Sequence, residues 1–549
     1  MGVKNKERAG QRSLLAITLL VACGSRSGLL GGGEEPIFGP SQPSGAGGVS
    51  ATGGTPTGGV AHAGKSAGGK GPTHGGNFPT IGGEPTAQGG EFPLPEGGTP
   101  SFAGAPNDEP TEVIWGKRFG DTKAEQTAAA IAVEPVGTFT ITGTVTGNVD
   151  FGGGKLVGGG GRDAYLAQFD SDGEHRWSAV YGDAGTQEGA GVSVRSDGRL
   201  AVVGSFSGAI DFGNGWLGSH GNRDAFVAEL DHDGKNAFFT EGFGDSDYQI
   251  ASGVTFAESG LAVWAGAFRG SGFLGVTSHT SVGSVDALVA AHDDTGKSSW
   301  AMQAGNQLAQ RANAIAGSDV DGSVFVAGNM LGQLKFGACS QVTGSATVEH
   351  GFIAWIDGSG NCNRNLVFNG NGASQAVAVA TGKSPLSSLV AVGGHFVEDF
   401  SFAGVTAVDS TLENDAFVAV LEGNRNSYSF SPVYLTTFGG AGSQQVNGLA
   451  FDSQDNLLVV GEYDGEGAGV GLPSTETSHA FVVKYDSSGK QVWSKSFGGA
   501  GARSSASTVG LDSDDNIYVA GSFEGTMALS TGALASAGHD DIFVVKLAP

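Results

Sequence analysis

Short apolar runs recur along most of the chain, each ended by glycine or a polar turn, and within them apolar and polar positions alternate. In one such stretch Phe481, Val483 and Tyr485 fall on one face at period two, the spacing of a half-buried strand. Around it the pattern predicts four strands in succession: Val446 to Phe451, Leu457 to Gly461, Ala480 to Tyr485 and Gln491 to Phe497. The turns Ser453-Gln454-Asp455-Asn456 and Asp486-Ser487-Ser488-Gly489 join the first pair and the last pair. No stretch carries helical periodicity.

The same unit occurs seven times. Its clearest landmark opens the third strand: Asp163-Ala164-Tyr165, Asp224-Ala225-Phe226, Asp286-Ala287-Leu288, His350-Gly351-Phe352, Asp415-Ala416-Phe417, His479-Ala480-Phe481 and Asp541-Ile542-Phe543, at intervals of 61 to 65 residues. A glycine closing the second run gives the same count: Gly143, Gly204, Gly266, Gly328, Gly393, Gly461 and Gly521. An aromatic before a glycine turn, as in Trp177-Ser178-Ala179-Val180-Tyr181-Gly182, is a third landmark. Four strands, two hairpins and a period near 60 predict an all-β fold, a seven-bladed β-propeller of four-stranded blades. The seventh unit reaches Lys546-Leu547-Ala548-Pro549 with three strands, while a spare strand at 112–119 precedes the first unit. Pairing of 112–119 beside 541–547 is the expected closure by an N-terminal strand, leaving no open sheet edge.

These residues resemble the SBBP family, named for a seven-bladed β-propeller and found in bacterial surface proteins. The resemblance spans residues 112–549. It is carried by Trp493-x-x-x-Phe497-Gly498-Gly499, by Asn516-Ile517-Tyr518-Val519-Ala520-Gly521-Ser522-Phe523 and by Asp541-Ile542-Phe543-Val544-Val545-Lys546. The strand arrangement is also similar to kelch-type blades. Units four and five depart most: Trp300-Ala301-Met302-Gln303-Ala304-Gly305 lacks the Phe and unit five lacks the Trp, so irregular blades are expected there. The resemblance implies a fold and a surface location, and no activity.

Composition changes the picture on the N-terminal side. Glycine makes up 98 of 549 residues without a collagen period, and 24–111 is mainly Gly, Pro, Thr, Ser and Ala. So little apolar surface cannot offset the entropy of ordering, so 24–111 is expected to be a disordered tether. Residues 1–23 read as a signal peptide: a basic start with Lys4, Lys6, Arg8 and Arg12, then an apolar run from Leu14 to Ala22 too short to span a bilayer. Leu20-Val21-Ala22-Cys23 resembles the bacterial lipobox, which implies cleavage before Cys23 and lipidation of its thiol, with palmitate among the acyl chains. Gly24 in place of Asp points to the outer membrane. The expected organisation is therefore a signal peptide (1–23), a tether (24–111) and a propeller (112–549), held to the bacterial cell envelope through lipid.

The net charge of −26 repels nucleic acid and anionic lipid headgroups, so no nucleic-acid partner is expected. The same charge keeps a glycine-rich extracellular monomer soluble. Cys339 and Cys362, 23 residues apart, are expected to form a disulfide in an oxidising compartment. Two free buried thiols are the alternative.

One polar position recurs in the connector between units: Gln126, Gln187, Gln249, Gln310, Gln375 and Gln444, with Arg503 in the seventh. If the first strand lines the central channel, these residues surround its mouth and offer a polar ligand site. The competing expectation is that each amide bonds a neighbouring blade's backbone. Asp121, Asp183 and Asp245 follow the connector glycine and read as turn formers. Asp170-x-Asp172-Gly173 and Asp231-x-Asp233-Gly234 are fragments of a calcium loop without its downstream acids, and hairpin turns explain them. No metal, cofactor or catalytic motif is present, and Asp150-Phe151-Gly152 and Asp211-Phe212-Gly213 have no companion kinase elements. The expected function is a surface-tethered binding or scaffolding module for a glycan or protein ligand. The alternative is a propeller enzyme, a lyase or glycan-acting protein, for which Arg503, His350, His395 and His479 are the available groups.

Overall fold

The computed structural model describes residues 111–549 except 123, 383–388, 409–412, 466 and 468. The signal peptide, Cys23 and the tether lie outside the described residues. Every regular element among the described residues is a strand.

Seven four-stranded antiparallel sheets account for the repeat. In chain order they begin with Gln126–Val133 (sheet 1), Gln187–Val194 (sheet 2), Gln249–Phe256 (sheet 3), Gln310–Gly317 (sheet 4), Ser374–Thr381 (sheet 5), Gln444–Phe451 (sheet 6) and Arg503–Leu511 (sheet 7). In sheets 1 to 6 the four strands lie side by side in the order in which they occur along the chain. In sheet 7 the third strand, Asp541–Leu547, pairs with Val113–Phe119, in a register that places Trp115 opposite Lys546 and Phe119 opposite Ile542.

The apolar side chains form seven clusters, and each draws on two sheets. Phe226, Val202 and Ile210 of sheet 2 meet Leu166 and Tyr181 of sheet 1. The cluster containing Phe119, Tyr518, Ile542 and Val544 joins sheet 7 to Ile131, Phe139 and Phe169 of sheet 1. First strands touch in the order of the sheets, and that of sheet 7 also touches that of sheet 1. The tryptophan landmark belongs to this packing. Indole N–H groups of Trp115, Trp177 and Trp300 donate to Ser171, His232 and Gly358, each in a turn of the next sheet. A Cβ on Gly234 would lie 2.4 Å from the Trp177 ring, so that turn needs glycine on steric grounds as well as for its φ of 65°.

The glycine landmark has a different cause. Each first strand carries a bulge, after its third residue in sheets 1 to 6 and after its fourth in sheet 7, which pushes a carbonyl toward the facing strand. A Cβ on Gly204 would meet the Glu188 carbonyl at 1.9 Å. In sheet 5 the equivalent residue is Gly394, one beyond the Gly393 read from sequence, since Gly394 faces Ala376 and the Gln375 carbonyl.

Three expectations need correction. Strands of sheet 6 run further than their apolar runs, as Gln444–Phe451, Leu457–Gly465 and Thr475–Tyr485, because backbone pairing continues where the side chains turn polar. The excursions between second and third strands carry small two-stranded hairpins, such as Ser271–Leu274 with Thr277–Thr280, that apolar periodicity did not indicate. The irregularity expected around Trp300 and in the following unit spares the four-stranded sheets 3, 4 and 5 themselves and appears beside them, where Asn369–Gly370, after the fourth strand of sheet 4, pairs with Asp399–Phe402 in the excursion of sheet 5. Ala304 stands where other repeats have an aromatic, and Phe336 from the excursion of sheet 4 enters the same cluster.

Candidate functional site

The connectors between sheets bring the sequence-selected polar residues to one end of the first strands. Gln126, Gln187, Gln249, Gln310 and Gln444 are all buried there. Gln187 Nε2 donates to Asp183 Oδ1 and to the Ser207 carbonyl, both at 2.8 Å, while its Oε1 accepts from the Asp183 N–H. Gln249 repeats the pattern with Asp245 and Arg269, while Gln310 accepts the Asn306 N–H and donates to the Leu331 carbonyl. Gln126 and Gln444 donate to the Thr146 and Asp464 carbonyls. Each amide ties its connector to the far end of the second strand in its own sheet, rather than to a neighbouring sheet.

Gln375 and Arg503 do not occupy this position. The glutamines face Val145, Phe206, Phe268, Met330 and Tyr463. On the matching rungs Ser374 faces Phe396 and Ser504 faces Phe523. Gln375 lies one residue after this rung and donates to Glu349 at 2.8 Å. Arg503 lies one residue before it, exposed, paired with Glu524 at 2.5 Å.

The serine exchange accompanies a second exchange. Third strands that adjoin a glutamine rung carry Asp163, Asp224, Asp286, Asp415 and Asp541 at the landmark position; those that adjoin a serine rung carry His350 and His479 there. The two positions meet at the connector. A Cβ on Gly182 would lie 2.2 Å from Asp163 Oδ1 and 2.3 Å from Gln187 Oε1, and one on Gly498 would lie 2.4 Å from the His479 ring. Ser504 Oγ accepts the Ala480 N–H at 3.0 Å and donates to the Phe497 carbonyl. Burial raises the Asp163 and Asp286 carboxyls to about 6. Burial also lowers the His350 and His479 imidazoles.

The acids read as turn formers do that work and more. Asp183 Oδ1 accepts the Gly185 N–H at 2.7 Å, and its Oδ2 accepts Ala209 at 3.0 Å, which fastens the excursion of sheet 2 to the connector. Asp245 holds Asp247 and Ser271 in the same way. Asp170 and Asp231 each accept two backbone N–H groups of their own hairpins. Among the described residues no group of three or more His, Cys, Asp or Glu side chains is arranged to hold a metal ion. The Cys339–Cys362 disulfide joins the excursion of sheet 4 to the start of its fourth strand. Beside it is a pocket of about 270 Å³ lined by Ser340, Val342 and residues 363–367, whose one ionisable side chain is Arg364. His350, His395 and His479 stand on sheets 4, 5 and 6, on the third, second and third strands.

The positions beside the repeated rungs do not repeat, and charge concentrates there. The residue before the Asp or His landmark of the third strand is Arg162 in sheet 1, Arg223 in sheet 2, Glu349 in sheet 4 and Asp540 in sheet 7; the second residue of the first strand is Glu188 in sheet 2 and Arg311 in sheet 4. Single backbone bridges from Arg162 to Thr186 and from Arg223 to Tyr248 set the two arginines against the next connectors. Glu188 lies between them, 3.6 Å from Arg162 and in an ion pair with Arg223. The Arg311 guanidinium carbon is 6.0 Å from the centroid of the Tyr248 ring. Burial lowers both Arg162 and Arg223, and Arg162 lowers Arg223 further. Across sheets 4 to 7 three acids are engaged: Glu349 accepts Asn329 and Gln375, Glu462 accepts Gln445 and Ser478, and Glu524 pairs with Arg503. Sequence reading passed over Arg162, Glu188, Arg223 and Arg311 because none of them recurs. Their signal was adjacency to a landmark together with a break in the repeat.

A family model described as SBBP, beta-propeller repeat, matches residues 492–522, from the fourth strand of sheet 6 into the second strand of sheet 7. No curated protein matches the sequence. Among solved structures, a chain of a mitotic checkpoint complex is similar at 11% identity and a TM-score of 0.43, over 84% of this chain and 99% of that one. A europium-containing methanol dehydrogenase is similar at 10% identity and 0.39, over 79% and 93%. The quinohemoprotein alcohol dehydrogenase ADHIIG from Pseudomonas putida HK5 is similar at 11% and 0.35, over 79% and 76%. Likenesses at these values carry no activity to this chain.

Proposed function

We propose that this β-propeller repeat protein is a cell-envelope lipoprotein whose seven sheets close into one seven-bladed ring and present the connector face as a binding or scaffolding module. Three features support closure: the pairing of Val113–Phe119 with Asp541–Leu547, the apolar cluster shared by sheets 7 and 1, and the Trp115 bond to Ser171, which repeats the bond of Trp177 to His232. The lipobox resemblance at Leu20-Val21-Ala22-Cys23 supports the anchor.

The observation that carries the binding reading is the break in symmetry at the connector face. Repeated residues there bond their own sheets, whereas Arg162, Glu188, Arg223 and Arg311 vary from sheet to sheet and leave charge at the surface. A framework serves every blade alike, so unlike residues at like positions mark the part that meets a ligand. Capture from envelope extracts by the full chain, repeated with Arg311→Gln, tests this: a partner retained by the wild type and lost by the variant is expected. A set of captured partners identical for both proteins would overturn the assignment to this face. Radiolabelled palmitate is expected to enter the wild type and not Cys23→Ala, and equal labelling would overturn the anchor.

A further inference from the structure

The excursion of sheet 2 turns through Asp211-Phe212-Gly213-Asn214-Gly215, between the short strands Ala209–Ile210 and Leu217–Gly218. Asp211 Oδ1 accepts the Gly213 N–H at 2.7 Å and the Gly215 N–H at 3.0 Å. Sheet 1 has the same turn, in which Asp150 Oδ1 accepts Gly152 and Gly154, but there the residue between the two donors is Gly153. Sheet 2 puts an amide side chain at that place. Asn214 Oδ1 accepts the Thr240 hydroxyl at 2.9 Å, from the fourth strand of the sheet, Ala237–Phe243. Asn214 and Gly215 are both exposed. Gly215 has a φ of 116°, and nothing lies within 4 Å of where its Cβ would stand. The Asn214 side chain therefore has room to fold back on the Gly215 nitrogen, with no Cβ in its way.

We propose that Asn214–Gly215 is a self-modifying site, at which the fold supplies both a base and an oxyanion donor for loss of the Asn214 amide. Asp211 takes the Gly215 amide proton as that nitrogen bonds to Asn214 Cγ. Negative charge gathers on Asn214 Oδ1, where Thr240 already donates. A proton passes to the side-chain nitrogen, the Cγ–Nδ2 bond breaks and ammonia leaves. Water then opens the five-membered succinimide at either carbonyl, giving aspartate or isoaspartate, with nothing oxidised or reduced. The product places a carboxylate two residues before Trp216, whose side chain is 67% exposed. The isoaspartyl form also lengthens the backbone of the turn. The surface around this indole thus changes in charge and shape as the protein ages.

Asn-Gly recurs at Asn369, Asn371 and Asn447 without these contacts. Asn447 is buried and donates to the Ala506 carbonyl at 3.0 Å. Asn369 and Gly370 are paired with Ser401 and Phe400. Asn371 Nδ2 donates to Asp399 Oδ1 at 2.9 Å, and the Gly372 backbone lies against the Val397 carbonyl.

Peptide mass mapping of the full chain in detergent, held near neutral pH and sampled over time, tests the proposal, with isoaspartate read by enzymatic methylation. The same series is run on the chain unfolded in urea. Asn214 is expected to convert faster in the folded chain than in the unfolded one, and faster than the other three asparagines of the folded chain. Asp211→Asn keeps an oxygen for both N–H groups but loses the base, and should slow conversion by more than about tenfold. Thr240→Val should slow it about fivefold, the scale of one neutral hydrogen bond. In urea both variants should match the wild type, which separates loss of the built contacts from any change in the peptide itself. An Asn214 that stays intact, a folded rate no higher than the unfolded one, or wild-type rates in both variants would each overturn the proposal.

Discussion

Arg118 donates to the Asp541 carboxylate at 2.5 Å across 423 residues of sequence, and the Asp541 side chain is fully buried. The same Asp541 oxygen accepts the Ala537 N–H at 2.7 Å. Removing the guanidinium leaves a buried carboxylate without its cation. Arg118→Met should therefore destabilise the protein by about 2–3 kcal/mol, the lower part of the range for broken buried pairs because Arg118 is partly exposed. Lys117→Met breaks an ion pair whose Glu174 carboxylate is exposed, and should cost less than about 1 kcal/mol. Thermal unfolding of the two variants side by side checks the contrast, and equal losses would sink it.

The His479–Ser504 junction makes a prediction about exchange. Ser504 Oγ fits between the Ala480 N–H and the Phe497 carbonyl, with the His479 ring against Gly498. Ser504→Gln alone overfills this space and should cost about 1–3 kcal/mol. Pairing it with His479→Asp recreates the junction seen at Asp163 and Gln187 and should recover most of the loss. A double variant as unstable as the two single losses added together would show that the positions are independent.

Asp163 and Asp286 give a pH dependence with a definite sign. Their folded carboxyls are raised to about 6, above the ordinary 3.8, so the folded state binds more protons between those values. Their contribution is fully favourable below about pH 3.8 and is lost as pH rises through 6. An uncharged isostere avoids that loss. Asp163→Asn should therefore be more stable than wild type at pH 7.5, by roughly 1 kcal/mol, and the advantage should shrink toward zero near pH 4. Denaturant melts at the two pH values measure the difference directly. A variant less stable at pH 7.5 than at pH 4, relative to wild type, would refute the account.

The Cys339–Cys362 bond closes a sequence separation of 23 residues. Cys339→Ser with Cys362→Ser should cost about 3 kcal/mol through greater freedom of the unfolded chain. Reductant should lower the wild-type melt and leave that of the double variant unchanged. A wild type indifferent to reductant would mean that the bond contributes nothing.

Much of the fold was legible because the repeated residues act on the backbone. Gly204 makes room for a carbonyl, Trp177 bonds the next sheet's turn, and the strand 113–119 carries the same pattern as the other fourth strands. The site was less legible. Counting from the connector glycine selected Gln375 and Arg503, but the connectors into sheets 5 and 7 shift the rung by one residue in opposite directions. The exchange of Asp for His at 350 and 479 marked those two junctions, yet its serine partners are too common a residue type to stand out. Arg162 and Arg223 meet only through Glu188 on the sheet between their connectors, and Arg311 nears the Tyr248 ring of the preceding connector, so no single repeat contains these contacts.

The central claim is a closed ring of seven sheets in which 113–119 is the fourth strand of the seventh. Thermal unfolding of the full chain with residues 112–119 deleted tests it most directly. Loss of that strand uncovers Phe543 and Val545 and removes Trp115 and Phe119 from the junction with sheet 1, so a sharply lower melting temperature is predicted. A melting temperature equal to that of the intact chain would contradict closure.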